Sequence, residues 1–332
     1  MWTTIILMVL YEGLTKGEKT MDNKGKIDVQ AKGHNGPIDF ELSIDDGRVT
    51  DLEIKQHSEI PGIFDQVADK LRSDVLENQS FAIDAISGAT VMSEAILESA
   101  DQAVKNEGVQ LPEKEKEQTR QKEEIQVDIV VIGGGEAGLV AAARLLTAGK
   151  KVALLEKNGY LGGATILNGS NVTATGSKTA KRIFGEQAKK DTPQHLAADV
   201  SNESLHTNDQ NLTQVMTENI GEAIDFISDF VNLNYGKAQT QTPEHSIDRQ
   251  IELSSSSSYE LVKKAAEAFT KKGGQIFLDA RVEHILQDEN GKVTGVVAEG
   301  RKRTLTVHAD AITLSTGGYG ANLNMRGKKA KG

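Results

Sequence analysis

Hydrophobic and polar positions alternate at Ile38, Phe40, Leu42 and Ile44, which predicts a strand half-buried against a core. Asp45-Asp46-Gly47 interrupts the alternation with a turn signal, and Val49, Leu52 and Ile54 resume it, so a hairpin is expected. The period then changes. Phe64, Val67, Ala68 and Leu71 recur at helical spacing, and a second helix follows Thr90 with Met92, Ala95, Ile96, Ser99 and Ala103 on one face. Residues Gly108 to Gln126 are almost wholly polar with one proline, and they read as a linker or solvated helix.

Beyond the linker the pattern is that of alternating strands and helices. The run Val127 to Ile132, apolar but for Asp128, suits a parallel strand covered on both faces. Gly138 to Ala148 reads as a helix and Lys151 to Leu155 as a second strand. Later come a strand at Gln275–Leu278 and a hairpin, Val282–Leu286 with Val293–Val297, around Glu289-Asn290-Gly291. A strand at Ala311–Ser315 follows, and the serine run Ser254–Ser258 reads as a loop. The expected organisation is a leader over 1–23, an α+β unit over 24–107, a charged linker over 108–126, an α/β unit over 127–325 and a polar tail over 326–332.

Composition narrows the chemistry. The 332 residues carry a formal net charge of −10, so the basic footprint of a nucleic-acid binder is absent. There is no cysteine, which excludes disulfides, thiolate metal sites, iron–sulfur clusters and CxxCH haem attachment. Redox chemistry would therefore use an organic cofactor. The histidines show no metal-ligand spacing, so no metal site is expected, and Ser87 lacks the GxSxG frame of a serine hydrolase. The apolar stretch Trp2 to Tyr11 is too short for a ~30 Å hydrocarbon core. It lacks a basic lead-in and a clear cleavage site, so a disordered or spurious leader with Met21 as an alternative start is favoured over a degenerate signal. A cytoplasmic protein is expected, with export or membrane association as the alternative.

The clearest motif is Gly133-Gly134-Gly135-Glu136-Ala137-Gly138, a GxGxxG that follows a predicted strand and opens a predicted helix. The first glycine permits the tight turn, the second lets backbone approach a pyrophosphate, and the third lets helix pack on strand. A helix N-terminus adds unpaired N–H groups and a positive dipole end. Glu156 ends the next strand, where an acid accepts from ribose hydroxyls and repels a 2′-phosphate. A dinucleotide site is expected and NADP is disfavoured; the motif alone leaves FAD and NAD both open.

Further segments resemble a family. Leu161-Gly162-Gly163-Ala164-Thr165 and Leu314-Ser315-Thr316-Gly317-Gly318-Tyr319-Gly320 look like the paired-glycine and ATGG segments of the fumarate reductase and succinate dehydrogenase flavoprotein superfamily. The resemblance implies FAD at Gly133, Gly135, Glu136, Ala137, Gly138, Glu156 and Lys157. It extends that site to Gly162, Gly163, Ala164, Thr165, Gly169 and Asn171, and to Val282, Thr316 and Gly317.

Asp84-Ala85-Ile86-Ser87-Gly88-Ala89-Thr90 reads by local physics as a turn with Thr90 as a helix N-cap. It also resembles the D-x-x-S-G-A-T motif of FMN-binding domains, and Gly33 to Gly108 resembles that domain as a whole. The resemblance implies FMN attached by a flavin transferase through a phosphoester at Thr90, with Asp84, Ser87, Gly88 and Ala89 shaping the site. His57 and Glu59 fall in a loop that the family also brings to FMN.

Together the resemblances imply an α+β FMN-binding domain followed by an incomplete α/β Rossmann-like FAD-binding domain. The pair is similar to haem-free fumarate and urocanate reductases, in which electrons pass from FMN to FAD and on to a small α,β-unsaturated carboxylate. The family's proton-donating arginine and substrate-binding histidine and arginine follow the ATGG segment. No catalytic residue is thus expected in this chain, which reads as an N-terminal portion inactive alone. The electron donor is not readable, since no second GxGxxG is present. The alternative is an FMN-carrying electron-transfer module with a vestigial FAD domain. His245 and Arg249 could form a substrate pair, but a loop histidine and a solvated arginine are the favoured reading.

Overall fold

A computed structural model describes residues 24–111, 120–237 and 244–319. The expected leader, the middle of the linker, Gly320 and the tail lie outside the described residues.

Three strands, β1 (Lys24–Lys32), β2 (Pro37–Asp45) and β3 (Arg48–His57), form an antiparallel meander. The predicted alternation holds: Ile38, Phe40, Leu42 and Ile44 are buried, as are Val49 and Leu52 across the hairpin. β1 was not expected; Ile27, Val29 and Ala31 alternate there with charged and polar residues and pack on the same core. Helices α1 (Pro61–Asn78) and α2 (Thr90–Asn106) cover that face. α1 buries Phe64, Val67, Ala68 and Leu71 as its spacing predicts. α2 is rotated from the expected face. It buries Met92, Ile96, Ala100 and Val104, an i, i+4 row with bulkier ends than Ala95, Ser99 and Ala103 offer. No strand precedes the Asp84–Thr90 segment, which is irregular back to Gln79.

The linker is shorter than its polarity suggests. Val109 and Leu111 pack on the first core, and Gln121–Gln126 is a strand, β4. Its polar side chains point out from a sheet edge, where charge discourages further pairing, while Ile125 packs inward.

The larger domain is built on a parallel sheet. Strand β5 (Ile129–Ile132), helix α3 (Glu136–Thr147) and strand β6 (Val152–Leu155) form the predicted βαβ unit. Strand β7 (Asn171–Thr173) and helices α4 (Lys178–Phe184), α5 (Pro193–Glu203) and α6 (Gln210–Val231) form an insertion, followed by strands β8 (Tyr235–Lys237) and β9 (Gln250–Leu253). Helix α7 (Ser258–Lys271) begins on the last residue of the serine run and leads to β10 (Gln275–Phe277). Strands β11 (Arg281–Gln287), β12 (Val293–Glu299) and β13 (Arg303–His308) form a meander, and β14 (Ala311–Leu314) returns to the parallel sheet. The sheet order is β10-β6-β5-β14, with β11-β12-β13-β4 as a second sheet and β7-β9-β8 as a third.

β5 and β6 show why their apolar runs are continuous. Val131, Val152 and Leu154 face α3, α6 and α7, whereas Val130, Ile132, Ala153 and Leu155 face Val296, Ala298, Leu305 and Val307 of the meander. Both faces are covered, so neither tolerates a polar residue. Among the described residues no helix is long and apolar enough to cross a membrane.

Candidate functional site

At the end of β5 the chain turns through Gly133 at φ 109°, a left-handed conformation that favours glycine. A Cβ at Gly133 would strike the Ser315 carbonyl, and one at Gly138 would strike the Gly133 carbonyl. The first and third glycines are thus fixed by protein contacts. The middle one is not. A Cβ at Gly135 would meet its nearest protein atoms, the Gly162 carbonyl and Thr165 Oγ1, only at 3.7 and 3.8 Å. Those are ordinary van der Waals distances, and Gly135 lies at the N-terminus of α3, where helix N–H groups favour an anion such as the phosphates of a dinucleotide.

Glu156 is buried beside this loop. Its Oε2 accepts from the Gly134 N–H at 2.8 Å and its Oε1 from the Asn158 N–H at 2.9 Å. A carboxylate has about four lone-pair sites, so acceptor capacity remains for ribose hydroxyls. Gly162 donates to the Gly134 carbonyl at 2.8 Å, and Thr165 Oγ1 accepts from the Glu136 N–H at 3.0 Å. The paired glycines and Ala164 therefore lie along the loop, at the start of a 3₁₀ turn over Gly163–Leu167. Thr316 and Gly317 are exposed just past β14, whose end abuts Gly133. Val282 is tied in less directly: Ala280, two residues earlier, donates to the Glu156 carbonyl at 2.9 Å. Lys157 and Ala137 are exposed at the rim. Gly169 and Asn171 are set apart, since Asn171 pairs with Glu252 in the small third sheet.

Burial pushes the Glu136 carboxyl above its ordinary value. Burial also pushes the Tyr235 phenol up to about 12, against a hydrogen bond with Ser228 and with reinforcement from Glu136 and Glu260.

The second candidate site is at α2. Thr90 is the first helical residue, not the cap; the cap is Ala89, whose N–H donates to the Ile86 carbonyl at 3.0 Å across a turn at Gly88. No side chain caps the helix; the Ser93 hydroxyl donates to the Ala89 carbonyl at 2.8 Å and accepts from the Ile86 N–H at 3.2 Å, which ties the first turn to the loop before it. Thr90 is exposed, so its hydroxyl is available at a helix N-terminus. Asp84 is exposed on the same loop, and the Ser87 hydroxyl donates to the Lys157 carbonyl at 3.2 Å.

His57 and Glu59 sit differently. Glu59 is buried, and its Oε1 accepts from the Asn35 N–H at 2.9 Å, closing the Gly33–Gly36 turn. His57 stacks on Phe64 at 4.0 Å and lines an open groove of ≈ 670 Å³ between β3 and α1. The Asp84–Thr90 loop is not among the residues lining that groove.

Arg249 is not solvated as the sequence suggests; it is among the most deeply buried side chains. Its Nε donates to Asp191 at 2.8 Å and its Nη1 to Asp199, with His245 Nδ1 at 3.1 Å from Nη1. Burial pushes Asp199 up, but hydrogen bonds from Ser246 and Arg249 outweigh it and hold the carboxyl low. Two carboxylates neutralise the guanidinium, so His245 and Arg249 lock α5 to β9 and do not form a free anion clamp. Sequence spacing gave no sign of the two aspartates, which lie 58 and 50 residues away.

A family described as FMN-binding domain matches residues 33–105, and one described as FAD binding domain matches residues 128–332. The NADH:acrylate oxidoreductase of Vibrio harveyi is 27% identical over 91% of this chain and 36% of its own length. The urocanate reductase of Eggerthella lenta is 28% identical over 90% of this chain and 50% of its own. The chain thus spans about half or less of these curated relatives. The fold resembles the open conformation of a flavocytochrome c3 fumarate reductase, with a TM-score of 0.53 and 23% identity over 59% of this chain and 34% of that one. With an FMN-binding domain ahead of it, more than half of the chain matches one flavoprotein family, and the protein belongs to the FAD binding domain family.

Proposed function

We propose that this chain is the flavin-carrying portion of a reductase for small α,β-unsaturated carboxylates such as fumarate, urocanate or acrylate. The observation that carries it is the joint placement of the Gly133–Gly138 loop, buried Glu156 and the Gly162–Thr165 turn at the N-terminus of α3. Gly135 and the N-terminus of α3 would face the pyrophosphate, Glu156 would accept from the ribose, and Thr316 and Gly317 would border the ring end. The flavins, when bound, supply electron storage and hydride delivery. Thr90 would be the FMN attachment point, which makes a flavin transferase a required partner; the Asp84–Ala89 turn presents its hydroxyl outward. We assign no proton donor among the described residues, because buried Arg249 is neutralised by Asp191 and Asp199. The electron donor is unassigned, and the cytoplasmic placement read from the sequence remains part of the proposal.

The second reading, an FMN electron carrier whose FAD domain is vestigial, is favoured only by the exposure of Thr90. FAD titration of the purified chain separates the two. Stoichiometric binding supports the reductase reading; a chain that takes FMN at Thr90 and ignores FAD leaves the carrier.

A further inference from the structure

The short segment from Lys157 to Leu161 has a neighbour on each side. On one side is the nucleotide loop, to which the flanking residues Glu156 and Gly162 are bonded through Gly134. On the other is the Thr90 loop. There the Lys157 carbonyl accepts the Ser87 hydroxyl, the Gly159 N–H donates to the Ser87 carbonyl at 2.9 Å, and the Tyr160 hydroxyl donates to the Gly88 carbonyl at 3.3 Å. Gln66 of α1 then grips Leu161 from both ends of its peptide: Oε1 accepts from the Leu161 N–H at 3.0 Å, and Nε2 donates to the Leu161 carbonyl at 3.1 Å. The same Nε2 donates to the Gly62 carbonyl at 2.8 Å, so both amide hydrogens are used.

Three glycines make the contact this close. A Cβ on Gly62 would lie 2.6 Å from the Tyr259 Cβ, one on Gly88 2.6 Å from Asn158 Oδ1, and one on Gly159 2.5 Å from the Ile86 Cγ2. Each pair joins one domain to the other. Tyr160 completes the contact by burying its ring in the core of the first domain.

We infer that Lys157–Leu161 is a shared wall coupling the two flavin sites, with Gln66 as the positioning residue that holds it. What the wall couples rests on the proposed flavin reading. A ligand held by Glu156 and the phosphate loop steadies the bonds that Glu156 and Gly162 already make with Gly134, which restricts the five residues between them, and those residues support Ser87 and Gly88. Linkage makes the effect reciprocal, so occupancy at either site steadies the other.

Amide hydrogen exchange on the full chain, with and without FAD, tests this in wild type, Gln66→Leu and Tyr160→Phe. Without flavin, Gln66→Leu speeds exchange roughly ten-fold in both 84–93 and 133–139, because it releases a locally cooperative unit. Tyr160→Phe, which keeps the ring and removes only the hydroxyl, gives a smaller change of the same sign. FAD slows exchange across 84–93 in wild type, and Gln66→Leu abolishes that slowing while FAD still binds. Faster exchange confined to 84–93 in the flavin-free variant overturns the coupling, as does bound FAD with no effect on 84–93. If FAD binds no variant, the FAD reading fails, and the flavin-free comparison still decides the coupling.

Discussion

The Gly134 amide and the Glu156 carboxylate meet at 2.8 Å, although 22 residues separate them in sequence. Burying a carboxylate is costly unless it is hydrogen-bonded, and here each oxygen has a backbone N–H. The acid is thereby set in place before any ligand arrives. Glu156→Gln turns one acceptor into a donor that faces a backbone N–H. Loss of about 1–3 kcal/mol in FAD binding, about 5- to 150-fold in Kd, is expected from fluorescence titration. Unchanged affinity would mean Glu156 serves only the loop.

The three motif glycines should separate in their effects. Gly138→Ala and Gly133→Ala run into backbone carbonyls and should destabilise the larger domain, seen as a lower thermal midpoint. Gly135→Ala meets nothing closer than 3.7 Å and should leave the midpoint unchanged while weakening FAD. A Gly135→Ala chain that binds FAD normally would remove the middle glycine from the site.

Glu136 gives a pH dependence. Burial raises its folded-state value above 4.5, so the folded chain holds the proton to higher pH than the unfolded chain does. Its effect on stability is therefore most favourable at low pH and turns unfavourable as pH rises through that interval. A neutral Glu136 repels a pyrophosphate less, so FAD should bind more tightly as pH falls through the interval in which the folded chain takes up that proton. Titrations with Glu136→Gln should lose that trend; persistence of the trend would assign it elsewhere.

Arg249→Met strands Asp191 and Asp199 in the interior, at a cost of about 3–5 kcal/mol in denaturant unfolding. The unpaired carboxyls then favour protonation, so the deficit should shrink as pH falls. Adding Asp191→Asn and Asp199→Asn should recover much of it. A neutral effect of Arg249→Met would show that the cluster does not hold the insertion.

Local pattern revealed most of the scaffold. Ile38 to Ile44 and Val127 to Ile132 have opposite patterning because one strand is covered on one face and the other on both, and each reads correctly. β4 was hidden because its stability comes from a backbone ladder with β13, to which Gln121, Lys122 and Glu124 contribute no apolar signal. The loop, Glu156 and paired glycines were legible as a group because one short βαβ unit fixes the spacing from loop to acid. Gln66 and the Asp191–Arg249–Asp199 cluster were not, because their partners lie 50 to 95 residues away. Thr90, read from the sequence as the cap, is the first helical residue, and Ala89 occupies the cap position with no side-chain bond to the helix N–H groups.

The most direct test is the flavin content of the intact chain after co-expression with a flavin transferase. The account predicts an intact-mass increase of one FMN, absent in Thr90→Ala, together with one equivalent of FAD released on denaturation from both proteins. A chain with unshifted mass and no retained FAD would contradict it.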